Sequence, residues 1–191
     1  MTTSGTLYLV TCAAPPCRRI TELVDLLHAD AWDVHVIATP TALTWLSVSE
    51  AEERTGHPVL HKQRHPDEPS VLPLTDAILV APATFNTINK WANGINDSLA
   101  LGILNEALGT GIPIVATVYA KAVLTAHPAF DTHLRLLRGA GVRFTDAEAL
   151  RPTNPDERFR WSSIIDLLRT SLADHDGGPP TATQEADPNR G

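Results

Sequence analysis

The hydrophobic positions of this chain change period repeatedly along its length. Residues 6–11 (TLYLVT), 33–38 (DVHVIA), 76–81 (DAILVA) and 113–117 (PIVAT) are near-continuous apolar, β-branched runs, which predict strands buried on both faces. Residues 141–144 (GVRF) predict a shorter last strand. Between these runs the period is helical. Ile20, Leu23, Val24, Leu26 and Leu27 mark a first helix, and residues 13–18 (AAPPCR) form the tight loop into it, with prolines suited to a first turn. Thr39-Pro40-Thr41 predicts the opening of a second helix carrying Ala42, Leu43, Leu46 and Val48. Further helices are expected from about Ile88, over 97–108, around Val123 and 130–137, and over 161–172. Apolar strands alternating with helices predict an α/β domain whose parallel sheet is covered on both faces. Ligands of such sheets bind beyond the carboxyl ends of the strands, so the loops after Thr11, Ala38, Ala81 and Thr117 are the informative ones.

Residues 50–73 break the pattern. They hold His57, His61 and His65 among prolines and charges, and predict an irregular excursion with one short strand at Val59-Leu60. The 191 residues fit one domain, expected over 1–172, with 173–191 expected to be a disordered tail of Asp, Gly, Pro and Thr. Fifteen basic against 22 acidic residues, net charge -7, disfavours nucleic acid and anionic membranes as partners. The amino terminus does not read as a signal peptide, and no apolar run is long enough to span a bilayer. A cytoplasmic protein with reduced Cys12 and Cys17 is expected.

The loop after the third strand, Pro82-Ala83-Thr84-Phe85-Asn86-Thr87, is small and polar behind a buried strand. Its amides and hydroxyls suit a phosphate or a flavin edge at a helix amino terminus, while capping by Thr84 or Asn86 explains it equally well. Further on, Gly94 is placed to end one helix and Asp97 to cap the next.

The stretch APATFNTINKWANGINDSLALGIL (residues 81–104) resembles the PASANT region of the homo-oligomeric flavin-containing cysteine decarboxylases. LYLVTCAAPPC (7–17) resembles that family's first phosphate loop, and VIATPTALTWL (36–46) its second strand-to-helix turn. The likeness spans roughly residues 6–144. It implies a single-domain, three-layer Rossmann-like (flavodoxin-like) fold that binds FMN at a trimer interface, in a homotrimer or homododecamer. By position it implies Thr11, Cys12 and Ala13 on the first phosphate-side loop, with a weakly hydrogen-bonding thiol at Cys12, and a Thr39 hydroxyl on the phosphate. Ala83, Thr84 and Thr87 would line the flavin. Asn86 matches the motif asparagine of the active site. His61, in Pro58-Val59-Leu60-His61, matches the essential histidine, with His57 the next choice and His65 close by.

The implied chemistry removes a hydride from cysteine Cβ and then CO2, leaving an enethiol. One branch of the family acts on phosphopantothenoylcysteine in coenzyme A biosynthesis and reduces the product to a thiol, using a flap cysteine. This chain has no cysteine beyond Cys17, and residues 145–160 lack the flap motif. The resemblance therefore implies the peptide branch, which decarboxylates a C-terminal cysteine of a ribosomally made peptide on the way to an aminovinyl-cysteine ring in natural product biosynthesis. The family's Pro-x-Met-Asn-x-x-Met-Trp segment, which helps to hold the substrate carboxylate, is rewritten here as residues 117–124 (TVYAKAVL). Val118, Tyr119 and Lys121 are the substrate-side positions, with Lys121 able to replace an asparagine donor by a charge-assisted bond. The rewriting also suits a flavin-binding subunit without catalysis. No metal is implied.

Overall fold

The computed structural model describes residues 5–63, 65, 67, 72–146, 148–152, 154 and 158–176. Five strands form one parallel sheet in the order β2-β1-β3-β4-β5. They are β1 (Gly5–Thr11), β2 (Trp32–Ala38), β3 (Ala77–Ala83), β4 (Ile114–Val118) and β5 (Arg143–Phe144). On one face, α1 (Ile20–Ala29), α2 (Val48–Thr55) and α7 (Ser162–Asp176) cover Leu7, Leu9, Val34, Val36 and Leu79 with Leu23, Leu27, Ala51, Ile164 and Leu168. On the other, α3 (Phe85–Ala92), α4 (Leu99–Ala107) and α6 (Pro128–Gly139) cover Val10, Ile37, Ile78 and Val80 with Ile88, Trp91, Leu104 and Leu137. Because successive side chains of a strand face opposite ways, each apolar run feeds both layers, and β2 departs from this with Asp33 and His35. The layered α/β fold expected from the pattern is the one observed.

The structure moves several expected boundaries. The helix after Thr41 is split into a short 3-10 turn, Ala42–Thr44, and α2, which begins only at Val48. Residues 50–55 thus belong to α2, not to the excursion. Gly56, at φ 74°, ends α2 in the left-handed conformation and donates its N–H to Glu52 O at 2.8 Å. Val59-Leu60 is reduced to one parallel bridge, Leu60 to Ile37. The third strand runs on through Pro82 to Ala83, with a register shift between Val80 and Ala83 against β4, so α3 starts at Phe85, ahead of the expected Ile88. Ser98, not Asp97, caps α4, its hydroxyl accepting from Leu101 N–H at 3.4 Å. A short helix, α5 (Ala122–Thr125), precedes α6. The terminal helix passes Leu172 to reach Asp176, and residues 177–191 of the expected tail lie outside the described residues.

Candidate active site

β1 to β4 end at one edge of the sheet, and the loops leaving them wall a cavity of about 1130 Å³. Ala13 to Pro15 follow β1, Thr39 to Thr41 follow β2, Thr84 to Thr87 follow β3, and Tyr119 to Ala122 follow β4. The parallel topology brings them together, since every strand points its carboxyl end the same way. The loops are stitched to one another where the strands stop. Cys12 N–H donates to Pro82 O at 3.2 Å, Thr39 N–H to Thr11 O at 3.0 Å, and Tyr119 N–H to Ala83 O at 2.8 Å.

Thr84 is the cap of α3. Its hydroxyl accepts from Thr87 N–H at 3.3 Å and lies 3.0 Å from the Thr87 hydroxyl. Thr87 in turn donates to Cys12 Sγ at 3.2 Å. Burial pushes the Cys12 thiol up to about 11 against the hydrogen bonds from Thr87 and Thr84, so it is neutral and unreactive near pH 7. Cys17 is also buried, and burial raises it too. Both cysteines are buried and neither lines the cavity; Cys12 lies beneath its Thr84–Thr87 floor.

Above this floor the walls are aromatic and cationic. Trp45, Phe85 and Tyr119 contribute rings, and Arg18 stacks over Trp45 at 5.2 Å. Lys90 pairs with Asp97 across the turn that contains Gly94. Arg151, from the segment after β5, lies over the Tyr119 ring at 4.2 Å, donates to Ala120 O at 2.5 Å and pairs with Glu148 at 2.7 Å. These contacts fix a guanidinium at the rim, beside the loop that follows β4. Lys121 lines the same rim, exposed and in no ion pair among the described residues.

The structure therefore brings Ala13, Thr39, Thr84, Asn86, Thr87, Tyr119 and Lys121 around one cavity. Thr11, Cys12, Ala83 and Val118 lie just beneath its wall, all buried. Thr11 Oγ1 is buried without a hydrogen-bond partner. His61 does not line the cavity. It follows Leu60, whose backbone pairs with Val36 and Ala38 on the outer side of β2. Of the other two histidines, His57 is engaged with Asp33 at 2.7 Å, and His65 is exposed beside Asp67 at 3.2 Å. Trp45, Lys90 and Arg151 were not singled out from the sequence. Lys90 and Asp97 left a faint signal, opposite charges flanking a glycine turn. Arg151 left none, because Tyr119 and Ala120, which hold it at the rim, are distant in the chain.

The sequence matches no curated protein. The flavoprotein family profile matches residues 2–171. Among solved structures, the chain is similar to the FMN-dependent cysteine decarboxylase TvaF from thioviridamide biosynthesis, at 21% identity and a TM-score of 0.72 over 89% of this chain and 99% of that one. It is also similar to a PPC decarboxylase mutant complexed with pantothenoylaminoethenethiol, at 16% identity and 0.71 over 88% and 98%. HAL3 from Cryptococcus neoformans aligns at 22% identity and 0.67 over 90% and 98%. At these identities the likeness carries the fold.

Proposed function

The chain belongs to the flavoprotein family, and from that premise we propose that it is an FMN-dependent decarboxylase that converts a C-terminal peptidyl cysteine to an enethiol. The observation that carries this reading is the cavity over the strand ends, floored by the motif segment of Thr84, Asn86 and Thr87 and rimmed by Lys121 and Arg151. Its volume of about 1130 Å³ exceeds the ~300–1,000 Å³ of a pocket for one small ligand, leaving room for a cofactor and the end of a substrate. FMN fits the residues present. The Thr39, Thr41 and Thr84 hydroxyls and the amino end of α3 suit a phosphate, and the Trp45 and Phe85 rings suit a flat aromatic system.

FMN bound there supplies a two-electron acceptor for the substrate Cβ hydride. The protein's own part is placement and proton traffic. Asn86 presents two donors and an acceptor at the mouth of α3, enough to hold a carboxylate and a cofactor edge together. Lys121 and Arg151 hold the carboxylate by charge until it leaves as CO2. His61 carries the proton released by the substrate thiol. Since it lies outside its own chain's cavity, it serves the cavity of a neighbouring subunit in a trimer. The protein has two cysteines, both buried, so no thiol at the rim can return a proton to the product. That favours an enethiol product over the thiol of the coenzyme A branch.

The test is anaerobic incubation of the flavin-loaded protein with a short peptide ending in free cysteine. Loss of about 46 mass units, CO2 plus two hydrogens, with bleaching of the flavin is the expected result. Loss of only about 44 mass units from phosphopantothenoylcysteine, with the flavin oxidised at the end, would assign the coenzyme A branch instead. No turnover of either substrate by a protein that retains FMN would mean a flavin-binding subunit without catalysis.

A further inference from the structure

Away from the cavity, the outer strand β2 carries a second cluster. Asp33 and His35 alternate with the apolar positions that face α1 and α2, so they share the sheet's other face with Ile37. Gly56 ends α2 and delivers His57 to the same place. His57 Nε2 lies 2.7 Å from Asp33 Oδ1, and His35 Nε2 lies 3.3 Å from Asp33 Oδ2. The two imidazoles stack with centroids 3.9 Å apart and planes 17° apart. Tyr8 closes the inner side, its ring edge-on to His35 at 6.3 Å and its hydroxyl donating to Pro73 O.

We propose that Asp33, His35 and His57 form a site for one divalent transition-metal ion of the zinc type, with water completing its coordination. One ligand atom from each residue lies within 4.8 Å of the other two. In a tetrahedral zinc site, bonds of about 2.0–2.2 Å set ligand atoms about 3.3 Å apart. The His35 contact already has that spacing, and the His57 contact has to open slightly. His57 is partly exposed, so its ring has room to turn its lone pair toward a shared ion. Two imidazoles and a carboxylate are borderline donors, which select zinc and its neighbours over magnesium or calcium.

On binding, a neutral ring shifts its proton from Nε2 to Nδ1 and presents the Nε2 lone pair. An ion here ties β2 to the segment that leads through the Leu60 bridge to His61. The site is independent of the decarboxylase reading.

The test uses the untagged, chelator-treated full chain. Zn2+ is titrated by calorimetry, and bound metal is counted after dialysis by elemental analysis. One equivalent per chain is expected, with a rise in melting temperature. Asp33→Asn and His57→Ala should each weaken binding tenfold or more, and His35→Gln provides a third probe of the same site. Both Asp33 and His57 are partly exposed, so these variants should fold, as unchanged circular dichroism in chelator would establish. His61→Ala and His65→Ala should still bind one equivalent. Absence of binding by the wild type would overturn the proposal. So would unchanged binding by Asp33→Asn and His57→Ala, or loss of the equivalent in His61→Ala or His65→Ala.

Discussion

Thr84 does two jobs at one hydroxyl. It caps α3 by accepting from Thr87 N–H, and it meets the Thr87 hydroxyl that holds the Cys12 thiol beneath the cavity. Losing a threonine cap costs about 1 kcal/mol, with a range of ~0.5–2. Thr84→Ala should therefore lower the unfolding free energy of the flavin-free chain, read from urea titration, by that amount, while Thr84→Ser leaves it nearly unchanged. An alanine variant as stable as the wild type would show that the cap is idle. At this scale the residues that could be read from the chain share one contiguous stretch. Thr84, Asn86 and Thr87 follow a buried strand within four positions, so local order already places them together. Arg151 could not be read this way. Its stacking on Tyr119 and its bond to Ala120 are made across β5, and no periodicity records them.

Strands proved easier to read than helices, for a physical reason. A strand buried on both faces must be largely apolar, and the stretches at 6–11, 33–38, 76–81 and 113–117 are, with Asp33 and His35 of the outer strand β2 as departures. α2, with the sequence VSEAEERT, buries only Ala51, so its hydrophobic stripe is too thin to mark its start or its length. The same element delivers His57 to β2, and the resulting cluster gives β2 a pH signature. The His35 pKa is lowered by burial and by His57, so between its folded value and the ordinary ~6.5 the unfolded chain binds more protons. Stability contributed there is present above ~6.5 and declines as pH falls. The lowered Asp33 carboxyl acts in the same sense in a more acidic window, contributing above its ordinary value and losing that contribution as pH falls through its folded one. In chelator, the urea midpoint should drop between pH 7.5 and 5.5, and His35→Gln should flatten that drop. An identical pH profile in the variant would mean that other histidines govern it.

Over the whole molecule, what matters is where the cavity and His61 sit relative to each other. One chain gathers Thr39, Thr84, Asn86 and Lys121 around a cavity, yet holds His61 on the outer side of β2. A proton carrier must come within about 3 Å of its substrate atom, or reach it through one water, so His61 can serve only if another copy brings it there. Closed cyclic assembly does this naturally, because each chain then offers its β2 flank to the next chain's cavity. Two inactive variants separate the possibilities. Asn86→Ala spoils a chain's own cavity, and His61→Ala spoils what it offers its neighbour. If both residues belong to one chain, unfolding and refolding a mixture of the two variants restores nothing, since every cavity lacks one of them. If they meet across an interface, a cavity is restored when a His61→Ala chain is followed by an Asn86→Ala chain. Random cyclic assembly from equal amounts gives that arrangement in about one quarter of the cavities. Recovery of about a quarter of wild-type turnover after co-refolding, with light scattering giving a multiple of three chains, is the expected outcome. No recovery from a trimer that holds FMN would mean that His61 is not shared between chains, and a monomer that still binds FMN would remove the shared site altogether.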